Sequence, residues 1–135
     1  MADQRHVLVI DDSEIMLTRA KQALVAAGYH VTTTTQAVGN AKYLITCDLV
    51  LIDYHMPGIH GGTVMQSLRS ALSALDRPCL CYVYTSDPAV SANYQQLGFD
   101  GCIGSKGDED SLVRQVNSIF RMAKIRELSA RKNRT

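Results

Sequence analysis

No apolar run in this chain approaches the roughly 20 residues that a membrane-spanning helix requires, so no membrane insertion is expected. The opening Met1-Ala-Asp-Gln-Arg-His6 lacks the basic region, long apolar stretch and small-residue cleavage site of a secretory signal, and a cytoplasmic location follows as the expectation. There is no C-x-x-C pair. Cys47, Cys79, Cys81 and Cys102 are scattered, and three of them lie in or beside apolar runs. That pattern fits buried free thiols and gives neither a disulfide frame nor zinc-ligand spacing. Phosphate-cradling loops are missing too. No G-x-G-x-x-G follows a strand, and there is no GKS or GKT signature. No internal repeat or low-complexity segment stands out.

What is present is one domain's worth of chain, 135 residues with 46% hydrophobic residues, enough for a core without staples. The net charge of +1 hides an asymmetry. Residues 1–120 carry 8 Lys+Arg against 12 Asp+Glu, a net −4, whereas residues 121–135 carry 6 against 1, a net +5. The chain divides accordingly into a domain over 1–125 and a basic tail over 126–135, either frayed helix or the start of a linker. No DNA-binding domain fits in that tail, and no direct nucleic-acid binding is expected.

Short apolar runs alternate with amphipathic stretches. Val7–Ile10, Leu49–Ile52 and Cys79–Tyr84 are nearly continuous, as strands covered on both faces read. His30–Thr35 is β-branched but polar and reads as an edge strand; Gly101–Ile103 supplies a fifth. Helices are predicted over Ser13–Ala27 (stopped by Gly28), Ala37–Cys47 (weakened by Gly39), Gly62–Leu75, Pro88–Leu97 and Ser111–Ile125, the last capped by Asp108 or Asp110. Five βα units predict an α/β fold with a five-stranded parallel sheet flanked by five helices.

The polar residues at the strand ends carry the information. Asp11 and Asp12 end the first strand, Asp53 the third, Thr85 and Ser86 the fourth, and Lys106 follows the fifth. Ligands of open α/β sheets bind beyond the carboxyl ends of the strands. Any one of these residues alone reads as a helix cap or turn residue; together they read as a site.

Over about residues 5–125 the chain resembles the receiver domains of two-component response regulators. The motifs are Val7-Leu-Val-Ile-Asp-Asp-Ser13, Leu49-Val-Leu-Ile-Asp-Tyr-His-Met-Pro-Gly58, Val83-Tyr-Thr-Ser86 and Gly101 through Lys106. The resemblance implies a flavodoxin-like, doubly wound sheet in order 2-1-3-4-5. It implies Asp53 as phosphoacceptor, with Asp11, Asp12, Asp53 and the His55 carbonyl around a divalent ion. It makes Thr85 the switch hydroxyl and Lys106 the site lysine, with His55, Ser86 and Asp87 tuning the lifetime of the phosphoryl group. The physical chemistry agrees. Three neighbouring carboxylates repel and need a hard cation, and an all-oxygen set suits Mg²⁺, with Mn²⁺ able to substitute. The implied donor is a histidine kinase or phosphotransfer protein. The implied recipient of the signal is a downstream protein or a fused output domain, and a homodimer is compatible with the sequence. Such a protein is no conventional enzyme; it catalyses its own aspartyl phosphorylation and slow dephosphorylation.

Two departures from the family pattern bear on switching. Ile103 stands three before Lys106, where the family often has Tyr or Phe, so it cannot act as an aromatic gate; Tyr82 or Tyr84 could substitute, or simply pack in the strand core. Gly107 stands where a proline usually follows the lysine, so a trans bond is expected and, with Gly104, a more flexible loop. Gly58, His60, Gly61 and Gly62 read as a mobile loop before the third helix. Two other functions compete: a receiver-like interaction module not controlled by phosphorylation, and a hydrolase of the haloacid-dehalogenase kind. The second wants Asp-x-Asp after the first strand, where this chain has Asp11-Asp12-Ser13-Glu14.

Overall fold

The computed structural model describes residues 4–36, 39–56, 59–75 and 77–133. Five parallel strands form the central sheet: β1 His6–Ile10, β2 His30–Thr34, β3 Leu49–Asp53, β4 Leu80–Tyr84 and β5 Gly101–Ile103. Their spatial order is β2-β1-β3-β4-β5, the expected 2-1-3-4-5. Every residue of β1 and β3 is buried, which is why those runs show no alternation. β2 pairs only with β1, and its three threonines are partly exposed; a polar, β-branched sequence suits an edge position.

The helices cover both faces. α1 (Glu14–Ala26) is capped by Ser13, whose Oγ accepts the Met16 N–H, and it buries Leu17, Ala20 and Leu24. It ends at Gly28, whose φ of +100° reverses the chain without a Cβ clash. α1 shares one face of the sheet with the final helix α4 (Glu109–Asn133), which buries Leu112, Val116, Ile119 and Phe120. Asp108 caps α4 by accepting the Ser111 N–H. The other face carries α2 (Gly61–Ser73), with Val64, Met65 and Leu68 inward, and α3 (Pro88–Asn93), with Val90 inward.

The structure corrects the sequence expectation in two helical segments. The second predicted helix is a single stretch of 3-10 helix, Ala41–Thr46; Ala37 and Val38 lie outside the described residues. Gly39 at φ +81° breaks the segment early, and Ile45 and Thr46 are β-branched. The helix expected over Pro88–Leu97 stops at Asn93 and continues as turns to Gly98 (φ +97°). The described residues thus hold four α-helices and one 3-10 segment rather than five helices. Residues 126–133 continue α4. Residues His55–Met56 and Ile59–His60 pair as a short antiparallel ribbon before α2; Gly58, part of the loop expectation, lies outside the described residues.

The amino-terminal edge of the sheet is tied by a polar network. His6 is buried, with Nδ1 3.1 Å from the Thr46 carbonyl and Nε2 2.8 Å from Thr32 Oγ1. Its backbone N–H donates to Asp48, which also accepts from Arg77. Burial holds the His6 pKa below its ordinary value, against the opposing pull of the Thr46 carbonyl. The unfolded chain therefore binds a proton more readily than the folded one. Stability from this source is complete above about pH 6.5 and falls as the pH drops below it. Urea midpoints measured between pH 7.5 and 5.5 should decline, and His6→Gln should flatten that decline. An equal slope in both proteins would assign the effect elsewhere.

Candidate functional site

The carboxyl edge of the sheet gathers the predicted residues. Asp53 is the last residue of β3, in register with Tyr84 of β4. Asp11 directly follows β1, and its backbone N–H donates to the Thr34 carbonyl. Both carboxylates are deeply buried, Asp11 at 2% and Asp53 at 6% exposure, whereas Asp12 next to them is exposed. Asp11, Asp12 and Asp53 each offer an oxygen, all within 4.8 Å of one another. Asp11 Oδ1 also accepts the Ser13 N–H at 2.9 Å, so the start of α1 fixes its rotamer.

Lys106 closes this cluster. Its Nζ lies 2.7 Å from Asp11 Oδ2 and 2.8 Å from Asp53 Oδ1. Burial pulls the Lys106 pKa down, but the two carboxylates outweigh it and hold the ammonium charged, above its ordinary range. For Asp53, burial pushes the pKa up, Lys106 opposes it, and Asp11 adds to the rise. Three carboxylates and one ammonium leave two negative charges at the rim, with Asp12 open to solvent. That oxygen-only, doubly negative set fits a hard divalent cation.

The remaining predicted residues surround the cluster. Thr85 is buried at 3%; its N–H donates to the Ile103 carbonyl, and its Oγ1 accepts the Asp87 N–H at 3.1 Å. Ser86 is exposed, and its Oγ accepts the Lys106 N–H at 2.8 Å. Asp87 caps α3 through the Ala89 N–H and meets His55 Nε2 at 2.8 Å with its other oxygen. The His55 hydrogen bond, then the Ala89 N–H, hold its pKa below the usual carboxylate range. The His55 N–H points at Asp53 Oδ1, at 3.4 Å. His55 and Asp87 thus join β3 and β4 across the mouth of the site. Ile103 is fully buried, packed in the cluster that contains Tyr84, Leu112 and Val116.

Three features were not readable from spacing. Lys106 contacts Asp11 as well as Asp53. Arg19, on α1, donates to the Gly107 carbonyl at 2.8 Å and pairs with Glu109, anchoring the loop that carries Lys106. The Tyr84 hydroxyl accepts the Gly107 N–H. Arg19 gave no sequence signal, since a lone basic residue on an amphipathic helix reads as solvated. Asp87 did carry one: an Asp directly before Pro88 marks a helix start.

The family model described as "Response regulator receiver domain" matches residues 7–117. ARR19 of Arabidopsis thaliana, named as a two-component response regulator, is 36% identical over 100 residues, covering 71% of this chain and 23% of that protein. The CAI-1 autoinducer sensor kinase/phosphatase CqsS of Vibrio cholerae is 27% identical over 116 residues, covering 84% of this chain and 17% of that protein. The chain therefore spans less than a quarter of the length of either relative. Among solved structures, the chemotaxis response regulator CheY4 of Vibrio cholerae superposes with a TM-score of 0.72 at 18% identity, covering 87% of this chain and 99% of that one; at that identity the likeness speaks for the fold.

Removing the ammonium would leave two buried carboxylates facing each other. Lys106→Met should therefore lower the unfolding free energy by about 3 kcal/mol in a chelating buffer. Adding Asp53→Asn should return part of the loss, because one of the stranded charges is gone. Urea titrations of the two variants decide it; a single variant as stable as the parent would show that the ion pair contributes nothing.

Proposed function

This chain belongs to the response regulator receiver domain family, whose members signal by phosphorylation, and from that premise we propose that Asp53 is its phosphoacceptor. The observation that carries the reading is the Lys106 ammonium lying within 2.8 Å of the Asp53 carboxylate, at the carboxyl edge of the sheet. Asp53 attacks phosphorus with a carboxylate oxygen, forming an acyl phosphate as the donor's bond to phosphorus breaks. Negative charge gathers on the phosphoryl oxygens as this happens. Lys106 already stands beside the nucleophile and supplies a fixed positive charge there. Thr85 meets the phosphoryl oxygens with its hydroxyl once that group turns from the Asp87 N–H, and this turn is the switch. His55, Ser86 and Asp87 line the mouth and tune the lifetime of the phosphoryl group.

Asp11, Asp12, Asp53 and the carbonyl of His55 would hold Mg²⁺, or Mn²⁺ in its place. Bound there, the ion would supply positive charge to the phosphoryl oxygens and relieve the repulsion among the carboxylates. The donor is a histidine kinase or a phosphotransfer protein. The signal passes to a downstream protein, to an output domain in a longer chain, or to a second copy in a homodimer. Its action is cytoplasmic in this reading; among the described residues no helix is long and apolar enough to cross a membrane. With Ile103 fully buried and aliphatic, the output surface, α3 with β5 and α4, responds through Thr85 without an aromatic swing.

Two measurements test this. Incubated with acetyl phosphate and Mg²⁺, the protein should gain one hydroxylamine-sensitive phosphoryl group. Asp53→Asn, nearly isosteric, should gain none while keeping its circular dichroism spectrum. Label persisting on that variant would move the acceptor elsewhere, and an unlabelled parent would favour an interaction module independent of phosphorylation. For the metal, Asp12→Ala should weaken Mg²⁺ binding on the order of tenfold and leave metal-free stability unchanged or raised, since it removes one of three crowded charges. Calorimetric titration and urea unfolding report the two effects; a stability loss without metal would instead make Asp12 a structural residue.

A further inference from the structure

Lys106 sits in a short turn closed by the Asp108 N–H, which donates to the Ser105 carbonyl at 3.0 Å. The residues on either side of it both adopt positive φ, Ser105 at +54° and Gly107 at +98°, and the peptide bonds are all trans. Gly104 and Gly107 bring no side chains to pack. Yet the ammonium reaches two separate carboxylates at 2.7 and 2.8 Å. The turn sets the local backbone, and groups outside the loop set where it sits against the sheet.

Arg19 of α1 holds the Gly107 carbonyl at 2.8 Å, and further ties come from β4 and the residues just after it. The Ser86 hydroxyl accepts the Lys106 N–H at 2.8 Å, and the Tyr84 hydroxyl accepts the Gly107 N–H at 3.1 Å. The Tyr84 ring also lies 5.8 Å from Lys106 Nζ, within cation–π range. Tyr84 is itself built into the sheet. It is 3% exposed, and its strand places it in register with Asp53 on one side and Ile103 on the other. Ser86 differs: it is exposed and hangs from the loop beyond the strand. Of the two acceptors, only Tyr84 is anchored in the sheet beside the nucleophile.

We infer that Tyr84 is a positioning residue for phosphoryl transfer: its hydroxyl, fixed by the sheet beside Asp53, sets the Lys106 loop so that the ammonium stands at the acceptor carboxylate. Resting on the phosphoacceptor reading above, the inference adds a residue that acts through Lys106 without touching the phosphoryl group. It also accounts for how a Gly107-containing loop holds its lysine, since the tether accepts a backbone N–H.

Tyr84→Phe keeps the ring and its packing and removes only the acceptor, so the protein should fold; Ser86→Ala removes the other side-chain acceptor of a loop N–H, at an exposed position. With acetyl phosphate and Mg²⁺ both saturating, Tyr84→Phe should be phosphorylated roughly three- to tenfold more slowly, the effect of one lost hydrogen bond. Its Mg²⁺ affinity should be unchanged or higher, because a loosened ammonium competes less for Asp11 and Asp53. The Gly107 amide should exchange with solvent faster by a comparable factor. Ser86→Ala should show a smaller loss of rate in the same direction. A Tyr84→Phe rate equal to the parent's, an unchanged Gly107 exchange rate, or rate and Mg²⁺ affinity falling together would each overturn the positioning role. A parent protein that takes no label at all would overturn the phosphoacceptor reading, and this role with it, whereas a labelled parent with an unaffected variant overturns this role alone.

Discussion

The site depends on one ammonium group placed between two buried carboxylates. Asp11 directly follows β1 and Asp53 ends the adjacent strand β3, at the same edge of the sheet. Brought together without a cation, they would repel in surroundings of low dielectric, and one would take up a proton. Lys106 offsets that repulsion and is itself held charged by the two carboxylates. Asp12, exposed on the same rim, then adds a charge that the lysine does not balance. The result is an oxygen-only cluster whose partly balanced charge fits a hard divalent cation.

That arrangement needs the parallel sheet. Parallel strands all end at one edge, so residues 42 and 95 positions away from Asp11 in the chain meet it there. The two apolar clusters clamp the sheet from both sides, one under α1 and α4 and the other under α2 and α3. The opposite edge is tied separately by His6, Asp48 and Arg77, so the chemistry at the carboxyl end is not also asked to hold the sheet together. At the carboxyl edge, hydrogen bonds link neighbouring loops: Asp87 with His55, Ser86 with Lys106, Tyr84 with Gly107.

The sequence and the structure agree most closely where burial is strongest. The continuous apolar runs of β1 and β3 and the polar run of β2 gave both the strands and their central or edge positions, because a parallel strand covered on two faces has no choice of residue type. Agreement fails where local propensity was balanced. The segment after β2 carried a weak helical pattern, and Gly39 with two β-branched residues turned it into 3-10 helix. Pro88 began a helix as expected, but nothing in the sequence set its length, and it ended at Asn93.

By itself the sequence determined the sheet, its alternating helices and the set of polar residues at the strand ends. These follow from periodicity and from side-chain chemistry, which are local properties of the chain. The tertiary structure alone decided which of those residues touch. Lys106 bridging Asp11, the His55–Asp87 link, Arg19 on the Gly107 carbonyl and the Tyr84 hydroxyl under the same loop all join residues more than 20 positions apart. Spacing along the chain carries no record of such contacts, because they are set by the register of neighbouring strands and by the paths of the loops that connect them.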